Sequence, residues 1–150
     1  MQERTYPIVP IPAVGAIVVG SQGLLLALRA KNPAKGFWSV PGGLIKIGET
    51  QRDALRREVL EETGIQVDII DMITVGDVIL HDSDGKVEYH FIWILYLAKA
   101  LTEDIHYKSP EEEARWFHLD ELPSDKMPLE VLDLILSMSQ RIKEIQNKAS

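Results

Sequence analysis

The chain has 150 residues, is 45% hydrophobic, lacks cysteine and carries a formal net charge of −7. That length and apolar share suit one domain over residues 1–150 with a core of its own. The acidic balance argues against a general nucleic-acid binder, and the lack of cysteine excludes disulfides, thiolate zinc sites and a cysteine nucleophile.

The start, Met1-Gln2-Glu3-Arg4-Thr5-Tyr6-Pro7, has no apolar stretch of signal-peptide length. No apolar run reaches the roughly 18 residues that a membrane helix needs. The expectation is a soluble cytoplasmic protein with no membrane partner.

Pro7, Pro10 and Pro12 keep the first residues extended. Val14–Val19 and Leu24–Leu28, separated by Gly20-Ser21-Gln22-Gly23, read as a β-hairpin. Lys31–Gly36 is a loop, Trp38–Val40 a short strand, and Pro41-Gly42-Gly43 its end. A helix is expected over Thr50–Thr63. Thr50 is its N-cap, Asp53 the acidic member of a capping box, and Gly64 the residue that closes it. Ile65–Leu80 reads as a long bent strand, and His81–Gly85 as a polar turn. Val87–Ala98 is a strand with Val87, Tyr89, Phe91, Trp93, Leu95 and Leu97 on one face. Ile92 and Ile94 on the other face predict that it is covered on both sides. Leu101–Pro110 is a loop and Ala114–Phe117 a last short strand. Pro128 opens a helix with Leu129, Leu132, Leu136 and Ile142 near one side, fraying beyond Asn147. This order fits an α/β fold, a mixed sheet with a helix on each face.

Within the helix at 50–63, Glu58, Glu61 and Glu62 stand at i, i+3 and i+4 and so share a face. Like charges so placed repel. A site for a hard divalent cation justifies them, because such ions take oxygen ligands and pair with phosphate substrates. The frame is Gly43, five residues, Glu49, seven residues, then Arg57-Glu58-Val59-Leu60-Glu61-Glu62-Thr63-Gly64-Ile65. It resembles the Nudix box, with each fixed position filled. The approach Gly36–Gly43 and the later Glu113-Ala114-Arg115-Trp116-Phe117 resemble the family too.

The resemblance implies the α/β/α sandwich of Nudix proteins and hydrolysis of a nucleoside diphosphate linked to another moiety, with Mg²⁺ (or Mn²⁺) as cofactor. It makes Glu58, Glu61 and Glu62, with the carbonyl of Gly42, the metal ligands. Arg57 either binds substrate phosphate or pairs with a glutamate and holds its rotamer, and the second fits the family better. Glu49 is an anchor of the same kind. The catalytic base lies among Glu111, Glu112 and Glu113, Glu113 placed first and Glu112 second, with Glu58 as the alternative. Substrate contacts are expected from Arg29, Trp38 and Gly43, and Phe37, Tyr89 and Trp116 stand open between core and base stacking. The proline-led start, Val14-Gly15-Ala16 and Asn32-Pro33 resemble microbial ADP-ribose pyrophosphatases, which also implies a homodimer. A departure is that no proline lies between Pro41 and Pro110. A (d)NTP pyrophosphatase and a catalytically silent nucleotide sensor are the alternative readings.

Overall fold

A computed structural model describes residues 4–149. Its strands are β1 (Ile11–Gly20), β2 (Gly23–Leu28), β3 (Trp38–Ser39), β4 (Gly42–Leu44), β5 (Val67–His81), β6 (Val87–Ala100) and β7 (Ala114–Phe117). Its helices are α1 (Gln51–Thr63), α2 (Leu129–Ser137) and α3 (Ser139–Ala149). The strands form one mixed sheet in the order β3-β2-β1-β6-β5, with β4 also on β1 and β7 also on β2.

Alternation along the central strands explains the layers. Val14, Ala16 and Val18 of β1, with Ile94, Tyr96 and Ala98 of β6, pack under Ala54, Leu55 and Val59 of α1. Ile17 and Val19, with Leu95 and Leu97, face Val131, Ile135 and Ile142 of α2 and α3. The sheet is therefore covered on both faces, and the architecture is the expected α/β sandwich. Toward the start of β1 and β6 the second face carries a smaller cluster, Ile11, Ala13, Tyr89 and Phe91.

The hairpin forms as expected, with Val19 opposite Leu24 and Gly20 opposite Gly23. Thr50 caps α1 by accepting from the Asp53 N–H at 3.1 Å, and Gly64 closes it at φ 76°. β5 is bent, with register shifts between Ile69 and Asp71 and between Met72 and Thr74. β6 is covered on both sides only past its first residues, since Val87 is 38% exposed.

Three expectations need correction. Gly42 and Gly43 do not end a strand in a loop; they begin β4, which pairs with β1 through Gly15, Val14 and Ala13. The C-terminal segment is two helices meeting at Met138, where Ser137 and Ser139 hydroxyls donate back to Leu134 and Leu136 carbonyls, a pattern that bends helices. Its buried side is set by Val131, Ile135 and Ile142, while Leu129 and Leu136 are 67% and 50% exposed.

The edge of β1 is shared. Its first half pairs with β4 and its last two residues with β2, so β2 diverges from β1 at the point where β4 enters. The site described next lies beside this fork.

Candidate active site

The two glycines of β4 set the geometry. In the antiparallel ladder Ala16 N–H donates to Pro41 C=O, so Gly42, one residue on, turns its N–H and carbonyl away from β1. That N–H donates to Glu62 Oε2 at 3.2 Å. A side chain at Gly42 would overlap the Val14 carbonyl, and one at Gly43 would overlap the Glu58 carboxyl. Both positions demand glycine because of close approach. Strand and helix meet so tightly that two carboxylates of α1 lie on the backbone of β4.

Arg57 organises the rest. Its Nε and one terminal nitrogen form a fork on Glu49, at 2.6 and 2.8 Å. The other terminal nitrogen donates to Glu58 at 2.8 Å and to Glu61 at 3.3 Å, and a further bond reaches the Leu44 carbonyl at 3.0 Å. Arg57 and Glu49 are only 20% and 19% exposed, so this bidentate pair is shielded from water. The Arg57 bond, with the Lys46 N–H, holds the Glu49 carboxyl down at about 2.

The electrostatics separate the three helix glutamates. Glu62 keeps some surface but is densely surrounded by protein. Burial first, and then the charges of Glu58 and Glu112, push its carboxyl up to about 8, against the Gly42 N–H and Arg29. Glu58 is raised chiefly by burial, with Arg57 opposing. Glu61 is 51% exposed.

Among the described residues, no three acidic or histidine side chains are gathered closely enough to hold one ion as they stand. Each carboxylate is engaged elsewhere: Glu58 and Glu61 on Arg57, Glu62 on Gly42. All three stand within about one turn of α1, so rotation about side-chain bonds is what gathering them requires. The donor chemistry suits Mg²⁺: the ligands are oxygens, and a buried carboxyl raised this far is stabilised as an anion by a cation beside it.

Of the other expected residues, Arg29 leaves the end of β2, and its Nε donates to the Pro33 carbonyl at 2.6 Å. Burial and then the charge of Arg4 lower its pKa, while Glu62 and Tyr89 raise it. Glu112 accepts from the Ser109 hydroxyl at 3.0 Å, and its charge reaches Glu62. Glu113 is paired with Arg115. Trp38 packs edge-on against Phe117, with ring centres 5.0 Å apart, and under Arg115. Phe37 lies under Lys126. Trp116 donates its indole N–H to Glu103. Sequence reasoning missed Arg4, whose charge acts on Arg29 and whose guanidinium lies 5.4 Å from the Phe91 ring centre. No motif marks it; the only signal is one arginine on a proline-led arm.

The model of the Nudix domain matches residues 9–135. An ADP-ribose pyrophosphatase of Methanocaldococcus jannaschii is 32% identical over 114 residues, covering 76% of this chain and 65% of that protein. A mouse oxidized purine nucleoside triphosphate hydrolase is 29% identical, covering 71% and 65%. The crystal structure of a MutT Nudix hydrolase from Burkholderia pseudomallei superposes with a TM-score of 0.70 at 28% identity, over 86% of this chain and 97% of that one. The chain spans between 34% and 65% of the length of three curated relatives that it matches. With a domain match over most of its length and the motif folded into one strand–helix corner, the chain belongs to the Nudix hydrolase family.

Proposed function

We propose that the chain hydrolyses the pyrophosphate bond of a nucleoside diphosphate derivative, with ADP-ribose as the leading substrate. The observation that carries this is the corner where Glu58 and Glu62 lie on the Gly42–Gly43 backbone. Mg²⁺, held by Glu58, Glu61, Glu62 and the Gly42 carbonyl, would neutralise phosphate charge and lower the pKa of a bound water. Arg57, locked on Glu49, orients Glu58 and Glu61. Arg29 supplies a cation to the substrate phosphates. Water adds to one phosphorus, the bridging P–O bond breaks, and AMP and ribose 5-phosphate leave. For the proton of that water the candidates are Glu113 and then Glu112, with Glu58 as the alternative; in this structure Glu113 is paired with Arg115 and Glu112 with Ser109.

ADP-ribose is favoured by the archaeal relative, and a (d)NTP substrate by the mouse one. A cytoplasmic location is part of the same proposal; among the described residues no helix is long and apolar enough to cross a membrane. Strand β5 lies at the sheet edge and leaves Met72, Val75, Ile79 and Leu80 exposed, a surface suited to the proposed homodimer.

The test is turnover with Mg²⁺ against ADP-ribose, other nucleoside diphosphate sugars, NADH, dinucleoside polyphosphates and (d)NTPs. Release of AMP and ribose 5-phosphate, abolished in Glu62→Gln, is expected. Preference for triphosphates would replace the ADP-ribose reading. Tight binding without turnover would make the chain a sensor.

A further inference from the structure

Strand β2 ends where three segments meet. The Leu28 N–H donates to the Glu113 carbonyl at 2.8 Å on one edge, and Leu28 stands opposite Trp38 of β3 on the other. From Trp38 the chain runs through Val40 and Pro41 into Gly42, whose N–H holds Glu62. Arg29 follows Leu28, so it leaves the sheet between the acidic segment 111–113 and the strand that enters the glutamate corner.

The loop after β2 closes on Arg29 itself. The Arg29 N–H donates to the Phe37 carbonyl at 2.9 Å and the Gly36 N–H to the Arg29 carbonyl at 2.8 Å. The side chain joins in, its Nε–H donating to the Pro33 carbonyl at 2.6 Å. A guanidinium meets a phosphate from the side, through Nε and one terminal nitrogen, or from the end, through both terminal nitrogens. With Nε taken by Pro33, only the end is open. The terminal nitrogens donate to no other group among the described residues. Arg4 Nε is the sole buried side-chain nitrogen or oxygen there without a partner, so those of Arg29 keep access to solvent. Ala34 sets the direction of the Pro33 carbonyl, because its φ of 62° fixes the plane of the peptide that joins the two residues. That is left-handed backbone, which alanine adopts at a cost and a β-branched residue far less readily.

We propose that the loop over residues 31–36 is a positioning element for substrate binding: the Pro33 carbonyl, aimed by Ala34, holds the Arg29 guanidinium so that it meets a substrate phosphate end-on. This rests on the reading of the cleft as one for nucleoside diphosphate derivatives. Arg29 is the group that touches the phosphate, and Pro33 and Ala34 act through it. A carbonyl on Nε also fixes a long side chain before the ligand arrives, which lowers the entropic cost of binding.

The test pairs Ala34→Val, which disfavours the left-handed backbone, with Ala34→Gly, which accepts it freely. Ala34→Val is expected to raise the KM for ADP-ribose about fivefold or more with kcat within about threefold, and Ala34→Gly to keep the wild-type KM. In an Arg29→Lys background Ala34→Val should add no further rise, because the group through which it acts is gone. An unchanged KM in Ala34→Val, or the same rise in both backgrounds, overturns the proposal. NMR of the arginine side chains in the wild-type protein with α,β-methylene-ADP gives a second readout, which needs neither turnover nor a folded loop variant. Arg29 signals are assigned by their loss in Arg29→Lys. The Nε–H should exchange slowly without ligand and keep its shift on binding, while the terminal N–H groups become protected. A larger response at Nε than at the terminal groups would mean side-on binding and overturn the proposal, as would terminal groups that do not respond. If the wild-type protein cleaves nothing, the hydrolase reading fails on its own. The NMR comparison still decides for the loop: protection confined to the terminal groups supports it, and no binding by the wild type sinks it.

Discussion

Arg57 binds three carboxylates and a carbonyl, and its value lies in geometry more than charge. Lysine at that position keeps the charge but cannot span Glu49 and Glu58 together. Arg57→Lys and Glu49→Gln are each expected to lower kcat about 10- to 100-fold with little change in melting temperature. Equal kcat in either variant would show that Glu58 needs no such support. Glu62 predicts a pH effect. An acid whose folded pKa stands above its unfolded one binds its proton more tightly in the folded state. Without divalent cations, the stability due to Glu62 is then full below pH 4.5 and declines as pH rises toward about 8. Thermal melts in chelator should therefore fall across that window, and Glu62→Gln should flatten the fall. Melts of the two proteins that run parallel would place the Glu62 pKa near its ordinary value.

At the scale of elements, the corner between β4 and α1 turns sequence into site. Gly43→Ala pushes the Glu58 carboxyl off its seat, and displacement by about 1 Å can cost roughly 10²-fold in rate. Gly42→Ala meets the rigid Val14 carbonyl instead, so its expected cost is stability, about 1–3 kcal/mol by denaturant titration. Equal effects of the two substitutions would mean that the strand moves as one piece. The helix was legible because its signals are local: a threonine cap, a closing glycine and the glutamate spacing. Strand β4 was not, because two glycines carry no β signal and the strand exists only through β1. The break at Met138 was hidden for the same kind of reason. Leu129 and Leu136 fit a helical period as well as Val131 and Ile135 do, and only contact with Ile17, Val19 and Leu97 chooses between them, while Leu132 packs on that core as expected. Within the site, the shared face of the three glutamates was readable from spacing, and Arg57 only through the resemblance. The arrival of Arg4 at Phe91, and of Gly42 at Glu62, depends on chain segments far apart in sequence.

For the whole molecule, metal and assembly are the remaining tests. A melting temperature that rises with Mg²⁺ concentration in the wild type, and much less in Glu62→Gln, is expected from mass action on a folded-state site. No rise in the wild type would contradict the ligand assignment. Light scattering should give twice the chain mass, and a monomer at assay concentrations would remove the homodimer. If the dimer forms through β5, a charged residue in place of Val75, now 51% exposed, should split it.

The fork in the edge of β1 has a further consequence, for how such a chain can diversify. The segment from Arg29 to Phe37, beside the fork, is closed by its own bonds: Arg29 N–H to Phe37 C=O, Gly36 N–H to Arg29 C=O and Phe37 N–H to Ala34 C=O. A loop that satisfies itself can change length or composition without disturbing either layer of the core. Variation at the fork is thus insulated from folding, so natural selection can retune what the cleft accepts while the glutamate corner stays as it is.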